Sequence, residues 1–451
     1  MPVILIFDIG KTNKKILLFD EAYQLVLEDA AKLEETVDED GFPCEDISAL
    51  AAWVLQSFQK IGNDQRYEIR AVNFTAYGAS FVYLDDKGAV IPPLYNYLKP
   101  YPELLKHQFY DTYGGESQLA RETASPVLGS LNSGLQLYRL KYEKPERFAR
   151  IRFALHLPQY LGYILSGACH ADITSIGCHT HLWDFQQHGY HRWVSEEGIL
   201  EKLAPLRDGR AVAGHTKSGI PVGLGLHDSS AALIPYLVAV EEPFLLLSTG
   251  TWNISLNPFN AQPLTQEELE NDCLSYLSFL GKPVKASRLF AGYEHEQQVR
   301  RLSEHFLTDH NFYTTILPDN DFLHLLKASI GRDDESHGSR TSITFAARDL
   351  SAFENYTTAY HHLMAGILVK QMKATDRVLR GTGVKKIFVD GGFSKNRIFL
   401  SGLAAFFPMI EIYTASVQQA TALGAALAIH SEWNRGQVPR GLFEWQSFQP
   451  G

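Results

Sequence analysis

The chain contains 451 residues, of which 45% are hydrophobic and 20% charged, a balance typical of a globular protein with more than one hydrophobic core. A net charge of −10 argues against a nucleic-acid partner, because neutralising phosphates requires clustered lysines and arginines. The sequence shows neither a secretory leader nor a run approaching the roughly 18 apolar residues of a membrane span, so we expect a cytoplasmic protein without membrane contact.

Short apolar runs separated by glycine, asparagine and aspartate open the chain. Residues 3–7, 15–19 and 24–27 form such runs and predict buried strands joined by tight turns. Residues 48–58 carry apolar side chains every four positions, which predicts a helix, and residues 69–74 form another apolar run. The first hundred residues therefore predict the order βββαβ.

The same strand–turn–strand pattern recurs near the middle of the chain. Residues 244–247 lead into the polar turn of residues 248–251, and the apolar pattern resumes at residues 252–256. The turn at Asp8 and its counterpart at Thr251 are too far apart for a solenoid repeat. They indicate instead a chain built from two related halves.

Proline and glutamate residues interrupt the apolar pattern between the two halves. Pro235 precedes the interruption and Glu241, Glu242 and Pro243 form it. The boundary therefore falls near residues 236–242. We expect one domain over residues 1–238 and a second over residues 239–451.

The second half ends in a strand–turn–helix pattern. Residues 386–389 predict a strand, residues 390–392 a glycine turn, and residues 396–407 a helix with small residues on one face. Residues 421–430 predict an alanine-rich helix, in which Gly424 suits close packing against a neighbouring element.

The glycine turns are candidates for binding a polyphosphate. Backbone N–H groups bind phosphate oxygens well, and glycine lets the backbone approach the anion closely. In the turn that follows the first strand, Asp8 precedes Gly10, and Lys11 is able to add a positive charge. Asp8 is also suited to hold Mg²⁺ through water. A turn of this composition is common without a ligand. Taken by itself, this turn therefore also fits a purely structural role.

The turns together resemble motifs of the FGGY carbohydrate kinases, over essentially the whole chain. The similar segments are Asp8-Ile9-Gly10 with Thr12, Asn13 and Lys15, then residues 248–252, 389–396 and 420–426. The resemblance implies an α/β fold of two actin-like (ribonuclease H-like) ATPase domains with an interdomain catalytic cleft. It implies that ATP and Mg²⁺ are the cofactors, with the sugar bound mainly by the first domain and the nucleotide by the second.

The resemblance also assigns residues to the cofactors. Asp8 is expected to bind the metal ion. The residues expected to contact the nucleotide are Gly10, Lys11, Thr12, Asn13, Lys15, Thr251, Gln297, Gly392 and Asn396. Lys11 departs from the family pattern, which usually has threonine or serine there, so its role is open.

A carboxylate follows the glycine-rich segment of residues 223–226. Phosphoryl transfer to an alcohol needs an acceptor for the hydroxyl proton, and a carboxylate within hydrogen-bond reach can take that role. Asp228 coincides with the position of the family's catalytic aspartate. The alternative is that Asp228 only caps the helix that follows and that His227 is a surface residue.

The neighbours of Asp228 resemble those of rhamnulokinases and fuculokinases. The resemblance assigns sugar binding to Gly78, Tyr77, His227 and Ser229, although Tyr77 is equally compatible with a core position. It implies phosphorylation of a ketose of the L-rhamnulose or L-fuculose type to its 1-phosphate. Leu289 departs from this pattern, which has a substrate-contacting asparagine there.

Several alternatives stay open at this stage. The acceptor could be a pentulose such as ribulose or xylulose. The departure at Lys11 is also compatible with a sugar-sensing protein that does not catalyse phosphoryl transfer. An actin-like chaperone or filament protein would hydrolyse ATP without a sugar. The partner is expected to be a small sugar, with a homodimer possible.

Cysteines and histidines give no metal prediction. Cys44, Cys169, Cys178 and Cys273 are too far apart for a disulfide scaffold or zinc ribbon and are expected to be reduced and mostly buried. The histidines in one short segment, with Asp184 as the one further ligand considered, are expected to be surface or hydrogen-bonded residues. They are His179, His181, His188 and His191.

Overall fold

A mixed sheet covered by helices forms the centre of each half of the chain. The computed structural model describes residues 1–335 and 345–449. The strands of the first half are β1 (Pro2–Ile9), β2 (Lys14–Asp20), β3 (Leu25–Ala31), β4 (Glu35–Val37), β5 (Pro43–Glu45), β6 (Glu68–Ala76), β7 (Phe81–Leu84), β8 (Val90–Ile91), β9 (Phe153–His156), β10 (Ala171–Asp172), β11 (Trp183–Asp184), β12 (Gly189–Tyr190), β13 (Leu206–Arg207), β14 (Val212–His215), β15 (Pro221–Gly223) and β16 (Leu226–His227). Its α-helices are α1 (Ile47–Gly62), α2 (Glu103–Thr112), α3 (Glu116–Glu122), α4 (Gly134–Glu143), α5 (Pro145–Arg150), α6 (Leu157–Ser166), α7 (Ile173–Ile176), α8 (Arg192–Glu196) and α9 (Asp228–Ala239).

The second half follows the same plan. Its strands are β17 (Phe244–Thr249), β18 (Asn253–Asn257), β19 (Cys273–Leu277), β20 (Pro283–Leu289), β21 (Lys386–Gly391), β22 (Glu411–Ser416) and β23 (Glu444–Ser447). Its α-helices are α10 (Gln266–Glu270), α11 (Ala291–Phe306), α12 (Asn320–Glu335), α13 (Tyr356–Leu379), α14 (Arg397–Phe406), α15 (Ala420–Ala428) and α16 (His430–Trp433). Among the helices in the described ranges, none is both long and apolar enough to cross a bilayer.

The two main sheets share a strand order around their central strands. In the first sheet β1 pairs antiparallel with β2 and parallel with β6, and the order is β14-β15-β6-β1-β2-β3, with β16 beside β6. In the second sheet β17 pairs antiparallel with β18 and parallel with β21, in the order β19-β20-β18-β17-β21-β22-β23. The central strands are almost entirely buried. This arrangement confirms the α/β fold of two actin-like domains.

The order βββαβ predicted for the first hundred residues is incomplete. The three strands and the helix are present, but a short hairpin of β4 and β5 lies between β3 and α1. Strand β4 is fully exposed, so it lacks the apolar run by which the other strands were predicted. The helix predicted over residues 396–407 begins one residue later, because Asn396 is its N-cap.

The last helix of the first half packs directly on the alanine-rich helix of the second. Gly424 in α15 lies so close to α9 that a Cβ atom there would stand 1.9 Å from the carbonyl oxygen of Ala231. Both helices therefore meet through their main chains. The prediction that Gly424 serves close packing is in agreement with this contact.

We expect Gly424→Ala to lower the thermal midpoint of unfolding. The added methyl group requires α9 and α15 to separate, and overpacking of this kind typically costs about 1–3 kcal/mol. Gly366→Ala is the matched control, because Gly366 lies within α13 with open space where the methyl group would be. That control should be neutral or slightly stabilising, since alanine favours a helix over glycine. Equal midpoints for the two variants would contradict the prediction.

Candidate functional site

An interdomain cavity of about 370 Å³ lies between the two sheets. Its walls come from both halves of the chain. The first half contributes Cys178, His179, Asp228 and Ser229, and the second contributes Ser248, Arg288, Asp390 and Thr421. Segments from both halves of the chain thus line one cavity.

The first predicted phosphate turn connects β1 and β2. Within this turn, the N–H of Gly10 donates to the carbonyl of Asn13 over 2.9 Å, and Thr12 and Asn13 are exposed. Lys14 lies beneath the turn, where its Nζ donates to the carbonyl oxygens of Gly10 and Lys11. The buried ion pair of Lys14 with Glu45, at 2.9 Å, fixes this lysine. The turn is therefore supported by a buried charge that its own sequence motif does not include.

Two further lysines of this turn are already paired. Lys11 Nζ lies 2.6 Å from a carboxylate oxygen of Glu35. Lys15 Nζ donates to Glu28 and to Gln419, each over 3.1 Å. Lys15 thereby links the two domains at the start of α15. Contact of either lysine with a nucleotide stays a prediction.

Asp8 occupies the end of β1, at the edge of the cleft. Its Oδ2 accepts a hydrogen bond from the hydroxyl of Thr421 in the second domain, over 2.7 Å. Burial raises the pKa of Asp8 to about 6, and the charge of Asp228 acts in the same direction, against the opposing effects of Thr421 and Lys15. Asp8 and Asp228 therefore form a pair of carboxyl groups that repel each other.

Asp228 is the first residue of α9, and its side chain is 37% exposed. The N-cap of this helix is His227, so the structure does not support the reading of Asp228 as the cap. Asp228 Oδ1 accepts from the N–H of Ser229 over 2.6 Å and lies 3.1 Å from Nδ1 of His227. Burial raises the pKa of Asp228, but His227 and Ser229 lower it more, so the pKa lies below its usual value. An ionised carboxylate consequently faces the cavity at neutral pH.

The predicted turns of the second domain contact one another. Thr249 Oγ1 donates to the carbonyl of Asp390 over 2.6 Å and accepts from the N–H of Phe393 over 2.9 Å. Gly391 has a φ of 88°, and a Cβ there would lie 1.9 Å from the carbonyl oxygen of Thr249. Only glycine fits this approach. Gly392 follows on the exposed side of the same turn.

The N-terminus of α11 joins these turns. A Cβ at Gly292 would lie 1.7 Å from the carbonyl oxygen of Gly250, and the N–H of Tyr293 donates to the carbonyl of Thr251 over 3.1 Å. Thr251 itself is exposed, and Gln297 lies half-buried farther along α11. Three backbone turns that are remote in sequence thus form one continuous surface.

Asn396 lies at the start of α14, after the glycine turn. Its Oδ1 accepts from the N–H of Phe399 over 3.0 Å, and its Nδ2 donates to the hydroxyl of Tyr360 over 2.8 Å. The side chain therefore already has a structural role as a helix cap. Contact with an adenosine group stays a prediction.

The predicted sugar-binding loop meets His227. Tyr77 is only 7% exposed, and its hydroxyl donates to Glu45 over 3.2 Å, which places most of the ring in the core. Gly78 adjoins the imidazole: a Cβ there would lie 2.1 Å from Nε2 of His227. His227 is not the surface residue of the alternative reading, because it is 4% exposed. Within this loop, Gly78 rather than Tyr77 lies against His227, the residue that precedes Asp228.

We expect Gly78→Ala to lower kcat/KM for the acceptor by about 10–100-fold, since an error of 1 Å in position can cost that much. The methyl group must displace the His227 ring, which also caps the helix that carries Asp228. Gly62→Ala is the matched control, because a Cβ at that position meets open space. Steady-state kinetics that are equal for both variants would show that the imidazole position is unimportant.

The histidine segment contains a sulfur ligand that the sequence prediction overlooked. Cys178 directly precedes His179, and both lie close to His227. Burial raises the pKa of the Cys178 thiol, but His179 and His227 lower it more, to about 6. His181 and His191 are hydrogen-bonded in the core instead, to Tyr110 and Thr123 and to Glu122.

Residues outside the predicted motifs also shape the site. Lys14 and Glu45 form its buried ion pair, and the hydroxyl of Tyr236 in α9 donates to Asp390 over 2.7 Å, across the two domains. Lys14 directly precedes the apolar run of residues 15–19 in the sequence. Its pairing with Glu45, and that of Tyr236 with Asp390, could not be predicted because the partners are distant in the chain.

The residues present suit a polyphosphate with a divalent cation. Burial, and to a smaller extent the charge of Asp228, raise the pKa of Asp8, and a cation near the two carboxyl groups would offset both effects. The glycine turns at Gly250 and Gly391 expose backbone without side-chain bulk, which is the requirement for close approach of phosphate oxygens.

Family models match both halves of the chain. The N-terminal domain of the FGGY family of carbohydrate kinases matches residues 3–234, and the FGGY C-terminal domain of carbohydrate kinases matches residues 241–437. A rhamnulokinase from Mannheimia succiniciproducens is 23% identical over 268 residues, which cover 55% of this chain and 52% of the relative. The chain thus matches only about half the length of this curated relative.

Solved structures resemble the chain over nearly its whole length. A carbohydrate kinase from Novosphingobium aromaticivorans has a TM-score of 0.78 at 22% identity, covering 99% of this chain and 96% of its own. A ligand-bound xylulose kinase from Lactobacillus acidophilus has a TM-score of 0.75 at 18% identity, with coverages of 100% and 93%. A Plasmodium falciparum glycerol kinase with ADP has a TM-score of 0.72 at 17% identity, with coverages of 96% and 90%. At these identities the likeness concerns the fold.

Proposed function

The chain belongs to the FGGY family of carbohydrate kinases, and on this premise we propose that it transfers the γ-phosphoryl group of ATP to a ketose hydroxyl. The observation that carries the proposal is the ionised carboxylate of Asp228 at the interdomain cavity, next to Asp8. A base must be unprotonated before it accepts a proton, and the neighbours of Asp228 keep it so.

Asp228 accepts the proton of the acceptor hydroxyl in this mechanism. His227 and Ser229 hold the carboxylate in place through the 3.1 Å and 2.6 Å contacts, so its orientation is fixed before the acceptor arrives. Gly78 leaves room for the imidazole and lets backbone lie near the sugar. Preorganisation of this kind accounts for much of the rate enhancement in phosphoryl transfer.

Asp8 and the glycine turns hold the charged donor. Asp8 would carry Mg²⁺, and the backbone of the turns at Gly10, Gly250 and Gly391, whose own glycine N–H groups donate within the protein, would lie close to the phosphates. ATP supplies the phosphoryl group and Mg²⁺ neutralises its charge. The interdomain hydrogen bonds of Asp8 with Thr421 and of Tyr236 with Asp390 position the two domains around the cavity.

The acceptor we favour is a 6-deoxyketohexose of the L-rhamnulose or L-fuculose type, phosphorylated at its 1-hydroxyl. Support comes from the His227-Asp228-Ser229 segment and from a relative named rhamnulokinase. Leu289 lies half-buried at the end of β20 and offers no hydrogen bond from its side chain. We infer that contacts elsewhere replace the missing amide. A cytoplasmic location and a homodimer belong to the same proposal.

A coupled ADP-release assay over a panel of acceptors tests this function. The panel contains L-rhamnulose, L-fuculose, L-ribulose, D-xylulose, gluconate and glycerol. We expect the highest kcat/KM for a deoxyketose and a phosphorus–proton NMR correlation to the C1 protons of the product. A preference for a pentulose would change the proposed acceptor but leave the proposed kinase activity unchanged.

Two other outcomes would overturn the proposed activity itself. Sugar binding without a phosphorylated product would indicate a sensor, a reading that the Lys11–Glu35 ion pair leaves possible. ATP hydrolysis that no sugar stimulates would indicate an actin-like chaperone or filament protein. Calorimetry of sugar binding beside the turnover assay distinguishes the two.

A further inference from the structure

A sulfur atom and two imidazole rings meet in the wall of the cavity, beside the candidate base. Cys178, His179 and His227 each offer a ligand atom, and these atoms all lie within 4.8 Å of one another. Cys178 is 3% exposed and His227 4% exposed, while His179 is half-buried. We call these residues the Cys-His-His cluster. It comes from segments about fifty residues apart in sequence, so the fold assembles it.

One polar atom of the cluster is buried without a partner. Nε2 of His227 makes no hydrogen bond, although the ring is almost completely enclosed. Buried polar atoms in native proteins are satisfied as a rule, and an exception asks for an explanation. A bound cation would supply the missing interaction at this atom.

The outer nitrogens of both rings face oxygen atoms. Nδ1 of His227 lies 3.1 Å from Oδ1 of Asp228, and Nδ1 of His179 lies 3.3 Å from the carbonyl oxygen of Leu131. Histidines that bind metal ions through one nitrogen usually donate the other N–H to a carboxylate or a carbonyl. His179 has this arrangement, whereas Nδ1 of His227 accepts from the N–H of Ser229 over 3.2 Å, and Nε2 of His227 is the nitrogen that remains without a partner.

The cluster is held by packed backbone. The N–H of His227 donates to Oγ1 of Thr174 over 2.9 Å, and Cys178 forms a β-bridge with Tyr276 of the second domain. The ring of His227 packs against the backbone of Gly78, where a Cβ atom would lie 2.1 Å from Nε2. The three ligands therefore need little rearrangement to converge.

We propose that the Cys-His-His cluster is a binding site for a soft divalent cation of the Zn²⁺ class. One thiolate and two imidazoles form a ligand set that zinc accepts with a fourth, exchangeable position, here open to the cavity. Magnesium prefers oxygen ligands, so this site and the predicted one at Asp8 select different cations. The ligands bind as a thiolate and neutral imidazoles, so any proton that the cluster holds is released to solvent as the metal bonds form.

The cation would act as an inhibitor of phosphoryl transfer. It fixes His227, and through it Asp228, and it occupies space next to the acceptor. This consequence rests on the proposed function, whereas the binding itself does not. The binding experiment is therefore independent of turnover, and its failure leaves the kinase proposal unaffected.

Titration of the metal-free full-length chain with Co²⁺ tests the site. We expect one equivalent to produce the near-ultraviolet thiolate-to-cobalt charge-transfer band, and one equivalent of Zn²⁺ to remove it. Cys178→Ser should abolish the band, and His179→Asn should weaken cobalt binding at least about tenfold. Cys169→Ser is the matched control and should leave the band unchanged, because Cys169 is more accessible but lies outside the cluster.

Absence of the band in the unsubstituted chain, or its persistence in Cys178→Ser, would overturn the proposal. A second measurement does not depend on how the variants fold. X-ray absorption of the unsubstituted protein loaded with one equivalent of Zn²⁺ should show one sulfur and two imidazole ligands. A zinc environment without sulfur would equally overturn it.

Discussion

Asp228→Asn lowers kcat about 10²–10⁴-fold in our expectation, with a change in sugar binding that is much smaller. The amide keeps the size of the side chain and can still accept from the N–H of Ser229. It cannot accept the proton of the acceptor hydroxyl. Turnover is measured by ADP release and sugar binding by calorimetry, so that the two effects are separated.

A second acid at a helix start provides the control for this variant. Asp46 caps α1 through the N–H groups of Ser48 and Ala49 and does not line the cavity. Asp46→Asn should leave kcat unchanged. If Asp228→Asn retained turnover within a factor of about two, residue 228 would not be the base and the mechanism would have to change.

Asp8→Asn should make the protein more stable and less active. Burial raises the pKa of Asp8 from 3.8 to about 6, so the folded protein holds this proton more tightly than the unfolded chain. Above pH 6 the folded state carries a buried charge at a cost of up to about 3 kcal/mol. The neutral amide removes this cost, whereas loss of the carboxylate that would hold Mg²⁺ should lower kcat about 10²–10³-fold.

The pH dependence gives this prediction a definite sign. Between pH 3.8 and about 6 the folded state binds more protons than the unfolded state, so the contribution of Asp8 to stability falls as the pH rises. The thermal midpoint of Asp8→Asn should therefore exceed that of the unsubstituted protein at pH 7. The difference should shrink towards zero below pH 4. Asp29→Asn, at an exposed position on β3, should show no such difference.

A variant at residue 8 that loses stability at neutral pH would contradict this account. It would mean that the hydrogen bond from Thr421 outweighs the burial of charge. Unchanged turnover would separately remove Asp8 from the predicted metal site. The two readouts therefore test the electrostatics and the chemistry independently.

The elements that could be predicted from sequence are those with a strong local signal. The central strands β1, β17 and β21 are buried on both faces, so each appears as an apolar run that ends at a small polar turn. The hairpin of β4 and β5 has no such signal because β4 is exposed. Local pattern therefore sufficed for the fold class and was insufficient for the short connections.

The candidate site likewise contains residues that could be predicted from the sequence and contacts that could not. Asp8 and Asp228 were predicted as site residues from the family motifs, and the electrostatic interaction between them required the structure. The position of Tyr77 could not be predicted, because its partner Glu45 is remote in the chain. Cys178 was available, since it directly precedes His179, but its third companion His227 is supplied only by the fold.

The main-chain contact between Ala231 and Gly424 has a mechanical consequence. Asp228 and Thr421, which lie at the starts of α9 and α15, are each three residues, a rise of about 4.5 Å, from this contact. If the two domains rotate about this contact, the outer edges of the cleft move a long way, whereas the carboxyl groups at its centre move little. The molecule can then open for exchange of its reactants without dismantling the spacing of its carboxylates.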